Sequence, residues 1–256
     1  MEMPRDISLR PPSTARNGTA VLQRDPVRLR LLGAFELEIG DGLAHLPDNA
    51  RRLLAFLALE RRTMQRTYVA GRLWPDLTEQ HAHGCLRTSL WRTGRATGIT
   101  VVEATSTSLG LAREVNVDAR ELEAACEAVF HERGPPSPET LVVLARPGDL
   151  LADWYEDWVE HERERLRLMR LLALEAAAER LLRERRVWEA SQAALAALSS
   201  DPLRESAHRL LIRAALAEGN AAEALRRFTG LRVELHRELG LEPSEQTQAL
   251  VRGLVA

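Results

Sequence analysis

The side chains in this chain best suited to chemistry are arginines, and the densest useful set of them sits on one amphipathic segment, residues 79–95. At 100° per residue, Ala82, Leu86, Ser89, Leu90 and Thr93 share one side of that helix. Arg87, Thr88, Trp91 and Arg95 share the other, with Arg92 on the flank. An arginine fork matches guanine O6 and N7 in a major groove, or bridges phosphates, and Gly84 near the helix start lets a backbone come close. The segment therefore reads either as a DNA recognition helix or as a solvated surface helix. Arg87 and Arg92 divide between base edges and phosphates. Trp91 lies either against the DNA or over the following hairpin.

Other groupings carry less. His81, His83 and Cys85 have ligand chemistry, but a spacing of two on a helix turns side chains 200° apart, which does not close on one ion. Asp153, Glu156 and Asp157 beside Trp154 and Trp158 read as the polar face of a helix opposite an aromatic packing stripe rather than as an acid–base pair. Every one of the 35 basic Lys+Arg residues is arginine. A phosphate-loop lysine, a pyridoxal Schiff base and a kinase strand lysine are thereby excluded. Gly-x-Ser-x-Gly and His-Glu-x-x-His motifs are absent too, so no enzyme, cofactor or metal is expected.

The elements that must position the arginines follow from pattern. Val27 to Ile39 alternates apolar and charged residues around Gly33, as two paired strands do. Asp48 or Asn49 then caps a helix ending in Arg61-Arg62, and Thr67 caps a shorter one, Tyr68 to Trp74, stopped by Pro75. After the arginine helix come Ile99-Thr-Val-Val-Glu and Leu109-Gly-Leu-Ala, spaced for a hairpin with a tip at 105–108. Strands, three helices and a hairpin make a winged helix-turn-helix of the response-regulator type.

Net charge is −2, so a nucleic-acid reading rests on distribution rather than total. Residues 50–95 hold nine arginines against three acids, a balance of +6, while residues 119–256 hold 19 arginines against 24 acids, or −5. Besides the outward face of residues 79–95, the candidate DNA contacts are His83 at the helix start, Arg113 and Thr107 around the hairpin, and Arg51 and Arg72 at the ends of the flanking helices. The last two read equally as a solvated face.

The second half is almost wholly helical after a helix at 118–131. Glu189-Ala190 recurs as Glu223-Ala224, and Leu182 as Leu216, at an offset of 34, with Pro202 twelve residues after Ala190. That is the tetratricopeptide period, an ordinary helical bundle being the alternative. The fold class expected is mainly α with a small β component. Its parts are a flexible arm at 1–26, a winged helix-turn-helix at 27–115 and a tetratricopeptide-like domain at 116–256. Two distant cysteines and no signal-like or 18-residue apolar run suit a cytoplasmic protein without a membrane.

The two halves together resemble the Streptomyces antibiotic regulatory protein family over about residues 27–253. The first half carries Arg28-Leu-Arg-Leu-Leu-Gly, Ala50-Arg-Arg-Leu-Leu-Ala-Phe-Leu-Ala-Leu, Leu73-Trp-Pro and Leu86-Arg-Thr-Ser-Leu-Trp-Arg. The second carries Trp154-Tyr-Glu-Asp-Trp, Glu162-Arg-Glu-Arg-Leu, Asp201-Pro-Leu-Arg-Glu-Ser-Ala-His-Arg, Ala217-Glu-Gly-Asn and Glu238-Leu-Gly-Leu-Glu-Pro-Ser. The resemblance implies a transcriptional activator that binds direct repeats in promoter DNA, pairs head-to-tail there, and recruits RNA polymerase holoenzyme through sigma and other subunits. It implies control of a secondary-metabolite cluster. Where the family helix ends in Leu-Arg-Arg, this chain has Thr93-Gly94-Arg95, so the last turn is expected to fray or stop early. A ligand-sensing regulator gated through the helical groove and a protein-interaction scaffold are the rival readings.

Overall fold

The computed structural model describes residues 26–132 and 134–254, so the arm expected at 1–26 lies outside the described residues save Pro26. The expected strands form as β1 (Val27–Arg30) and β2 (Glu36–Ile39), antiparallel, with β3 (Gly42–Leu43) on the outer edge. Three helices follow: α1 (Asp48–Glu60), α2 (Arg66–Leu73) and α3 (Glu79–Thr97). A two-residue strand, β4 (Met64–Gln65), lies between α1 and α2. It joins β5 (Val102–Ala104) and β6 (Ser108–Leu111) in a sheet ordered β4-β6-β5. The hairpin behind α3 is therefore the wing, and its third strand comes from the far side of α2.

Two capping expectations are corrected. Pro47 and Gln65 occupy the N-cap positions of α1 and α2, and neither helix gains a side-chain cap from Asp48, Asn49 or Thr67. At the other end of α1, Arg61 adopts a left-handed conformation (φ 57°) and its side chain leaves for Glu123. The free carbonyls of Ala58 and Leu57 are taken instead by Arg120, at 2.9 and 3.3 Å.

The chain then returns to the first sheet. β7 (Val115–Val117) lies parallel to β1, giving the order β3-β2-β1-β7, and leads into α4 (Asp118–His131), the helix expected at 118–131. After α5 (Pro138–Leu144), four longer helices and a short one complete the molecule. They are α6 (Asp157–Arg183), α7 (Val187–Ser200), α8 (Glu205–Ala217), α9 (Ala221–Leu239) and α10 (Glu245–Val251). Connections of three or four residues fold each of α7 to α9 back on the helix before it. The first residues of α7 and α9 are 34 positions apart, and Ala190 and Ala224, at 1% and 0% exposure, occupy the same packed place in each. No helix among the described residues is long and apolar enough to cross a membrane.

One core runs through both halves. Leu29, Leu31, Phe35, Leu54 and Val117 from the first pack with Leu150, Leu151, Val159 and Leu166 from the second. The backbone is stitched as well. Leu151 N–H donates to Leu31 O at 2.8 Å, Gly33 N–H to Asp149 O at 2.8 Å and Ala152 N–H to Gly33 O at 3.0 Å. Asp118 accepts the N–H groups of Leu31 (2.8 Å), Leu32 (3.0 Å) and Ala119 (2.7 Å), which closes the corner. Gly148, at φ +105°, passes so near that a Cβ there would stand 3.0 Å from Gly33 N.

Candidate nucleic-acid interface

α3 docks by the face expected of it. Ala82 and Leu86 pack with Leu53, Phe56, Val69, Leu73 and Leu109, Ser89 and Thr93 are buried too, and Leu90 is half-covered. The polar members of that buried face satisfy themselves. Ser89 Oγ donates to Cys85 O, Thr93 Oγ1 to Ser89 O and Thr97 Oγ1 to Thr93 O, each at 2.9 Å. Fraying at Gly94 does not occur: α3 runs on to Thr97 and ends at Gly98, whose N–H donates to Gly94 O at 3.0 Å in a left-handed cap.

The outward face carries Arg87, Thr88, Trp91, Arg92 and Arg95, all exposed. Thr88 Oγ1 donates to Gly84 O at 3.0 Å, which fixes its hydroxyl along the helix. Trp91, 60% exposed, does not fold over the wing; the Arg95 guanidinium stacks on it at 5.2 Å from the ring centre. Among the described residues no carboxylate lies within 4.0 Å of Arg87, Arg92 or Arg95. Their charge faces outward.

Arg87 stands between two depressions. One, of 540 Å³, joins it to His83, Thr107 at the wing tip, and Gln65, Arg66 and Thr67 at the start of α2. The other, of 720 Å³, lies toward Asn49, Leu77, His81, Thr88 and Arg92. His81 Nδ1 sits 2.7 Å from Thr78 Oγ1, while His83 Nε2 is 3.9 Å from Glu79. Arg66 is the residue that sequence reasoning passed over. Its N–H donates to Thr107 O at 2.9 Å and its Nη1 to Thr105 O at 3.0 Å. The signal was weak: an arginine next to a helix start, whose neighbour across the wing is set only by the β4–β6 pairing.

Three expected contacts fall elsewhere. Arg51 lies over the rings of Phe35 (5.3 Å) and Trp154 (6.0 Å) at the junction of the halves, with its Nη1 3.4 Å from Asp48 Oδ1. Arg72 is exposed but lines a groove with Phe56, Asp157, Trp158 and His161, away from the face of Arg87. Arg113 follows Ala112, whose N–H donates to Val101 O at the base of the hairpin. It is at the opposite end of β6 from Thr107. The polar-face reading of Glu156 is also corrected, since α6 starts only at Asp157 and Glu156 is a junction residue. Its carboxylate accepts Arg52 Nε at 2.8 Å, Arg52 Nη2 at 2.9 Å and Trp158 Nε1 at 2.6 Å. Trp158 meets Phe56 edge-on at 5.3 Å, and Trp154 stacks on Phe35 at 6.1 Å.

In the helical half, α6, α8 and α10 line a groove of 530 Å³ whose charges are largely matched. Arg204 forks onto Glu175 at 2.8 and 3.0 Å, and Arg213 pairs with Glu179 at 2.5 Å.

An exposed arginine–tryptophan helix backed by a wing, fused through one core to stacked helices, defines a winged-helix protein with a second, helical half. Residues 147–254 match the family described as "Bacterial transcriptional activator domain". That match, over less than half of the chain, supports the resemblance of the chain to the Streptomyces antibiotic regulatory protein family. The fold is similar to that of the solved structure titled "Mycobacterium tuberculosis EmbR in complex with low affinity phosphopeptide", with 21% sequence identity and a TM-score of 0.65. The alignment covers 90% of this chain and 65% of that one, so this chain spans less than two thirds of that protein's length. No curated protein matches in sequence.

Proposed function

We propose that the protein binds promoter DNA sequence-specifically by inserting α3 into a major groove, with the wing on the adjacent backbone, and activates transcription from there. The observation that carries this reading is the outward row of Arg87, Trp91 and Arg92, without a carboxylate partner among the described residues, on a helix rigidly seated between α1, α2 and the wing. Arginine forks facing solvent from a rigid helix are the donors that base edges and phosphates require. Thr88 and Arg95 flank the row.

The finer parts follow from the family resemblance. Two copies bind direct repeats head-to-tail, the helical half, tetratricopeptide-like in its 34-residue period, contacts RNA polymerase holoenzyme, and the target is a secondary-metabolite gene cluster in the cytoplasm. Titration of the full chain on promoter fragments across a salt series tests the first step. Preference for one repeated sequence, steep weakening with salt, and a loss of about 1–3 kcal/mol in Arg87→Ala are expected. Equal binding to every sequence at every salt concentration rejects the reading.

A further inference from the structure

We propose that the cleft between α2, α3 and the wing tip is a preformed site for a single backbone phosphate of DNA, with Arg66 as its positioning cation. The inference rests on the DNA-binding reading and adds a residue and a role to it. Arg66, Thr67, His83, Arg87 and Thr107 come from three separate elements and line one 540 Å³ cleft. Two arginines therefore line one small space. A cleft with two cationic side chains in its lining favours an anion there.

Arg66 is not loose within this cleft. Its Nη1 is tied to Thr105 O at 3.0 Å, and its backbone N–H to Thr107 O at 2.9 Å. The tip that supplies those carbonyls is itself stapled, because Thr105 Oγ1 accepts the N–H groups of Thr107 (3.2 Å) and Ser108 (3.0 Å). A guanidinium has five N–H donors, so one bond to Thr105 leaves most of the fork for an incoming oxygen. Among the described residues no carboxylate lies within 4.0 Å of Arg66, and Glu79 stands 3.9 Å from His83 Nε2. The Thr67 and Thr107 hydroxyls add neutral donors at the rim. A phosphodiester, compact and singly charged, fits this donor set. Held there, it fixes the depth and register of α3 without reading a base.

The test is fluorescence anisotropy of the full chain on its preferred duplex and on an unrelated duplex, each across a salt series. Arg66→Ala is expected to weaken binding by a similar factor on both, about fivefold to tenfold, and to reduce the slope of log affinity against log salt by about 0.9. Arg66→Lys is expected to keep the slope and recover part of the affinity. Arg66→Gln, which retains a donor toward Thr105, controls for wing collapse: it should melt like the unaltered chain yet lose the slope as Ala does. Unchanged affinity and slope in Ala and Gln overturn the proposal, as does a loss confined to the preferred duplex. If the unaltered chain binds every duplex alike, the sequence-specific reading fails, and the slopes still decide the phosphate site.

Discussion

At the residue scale, arginine serves this protein in two opposed ways. Arg163 donates to Leu150 O and Trp154 O, both at 2.7 Å, and buried Arg170 donates to Leu144 O at 2.8 Å, so these cations close loops. Arg87 and Arg92 point outward. A sequence composed without lysine gives no hint which arginine does which, since the planar fork suits both carbonyls and phosphates. The cysteines separate in the same way. Cys126 is sealed in the core of the helical half, where burial pushes its thiol up to about 12, whereas Cys85 is half-buried on α3. Native protein treated with an alkylating reagent at pH 8 is expected to take one label, on Cys85, and a second only after denaturation. Mass spectrometry of the intact chain and its peptides checks this; rapid labelling of Cys126 in the folded state would show the core to be open.

At the element scale, α3 holds a stability reserve. Gly94 lies in the helix interior, exposed, and a Cβ added there meets nothing within 4 Å. Gly94→Ala is accordingly expected to stabilise the fold by about 1 kcal/mol, or a rise in Tm of about 2–4 °C, read by thermal melting. A lower Tm would mean that the helix needs glycine for its path. In the helical half, Glu175 ties α6 to the turn before α8. Burial raises its pKa, but hydrogen bonds from Arg204 and Ser206 outweigh burial and hold the carboxyl below its ordinary 4.5. A lowered folded-state pKa contributes stability above the unfolded value, and that contribution is lost as pH falls through the folded value. Glu175→Gln should thus be less stable than the unaltered chain at pH 7, with the gap narrowing below about pH 4. Urea midpoints at pH 7 and pH 3 measure it, and a gap independent of pH would exclude this ion pair as the source.

At the scale of the whole molecule, the winged-helix and helical halves share one core. Phe35, Phe56, Trp154 and Trp158 interlock across the junction, Arg52 forks onto Glu156, and Arg61 and Arg165 both reach Glu123. The orientation of α3 relative to α6–α10 is set by packing rather than by a linker. Gly148→Ala, with its strained φ and its contact on Gly33, is expected to cost about 1–3 kcal/mol and to lower the unfolding midpoint of both halves together. Fluorescence of the junction tryptophans and far-ultraviolet circular dichroism should trace one coincident transition. Two separated transitions would show that the halves are independent.

By itself the sequence determined the order of elements, the buried and outward faces of α3, the helix at 118–131 and the 34-residue period, because these depend on local alternation and helical phase. The Gly94 expectation failed because tertiary packing seats α3 through Thr97, and the caps expected from Asp48, Asn49 and Thr67 failed because α1 and α2 begin a residue or more earlier, with Pro47 and Gln65 at their N-caps. At the far end of α1 it is Arg120, remote in sequence, that takes the carbonyls. Only the tertiary structure decided that Arg51 and Glu156 belong to the junction, that Arg113 sits at the opposite end of β6 from the wing tip, and that Arg66 lines one cleft with Arg87. Each of those placements depends on which residues distant in sequence pack together, and an arginine carries no mark of its eventual partner until the chain has folded.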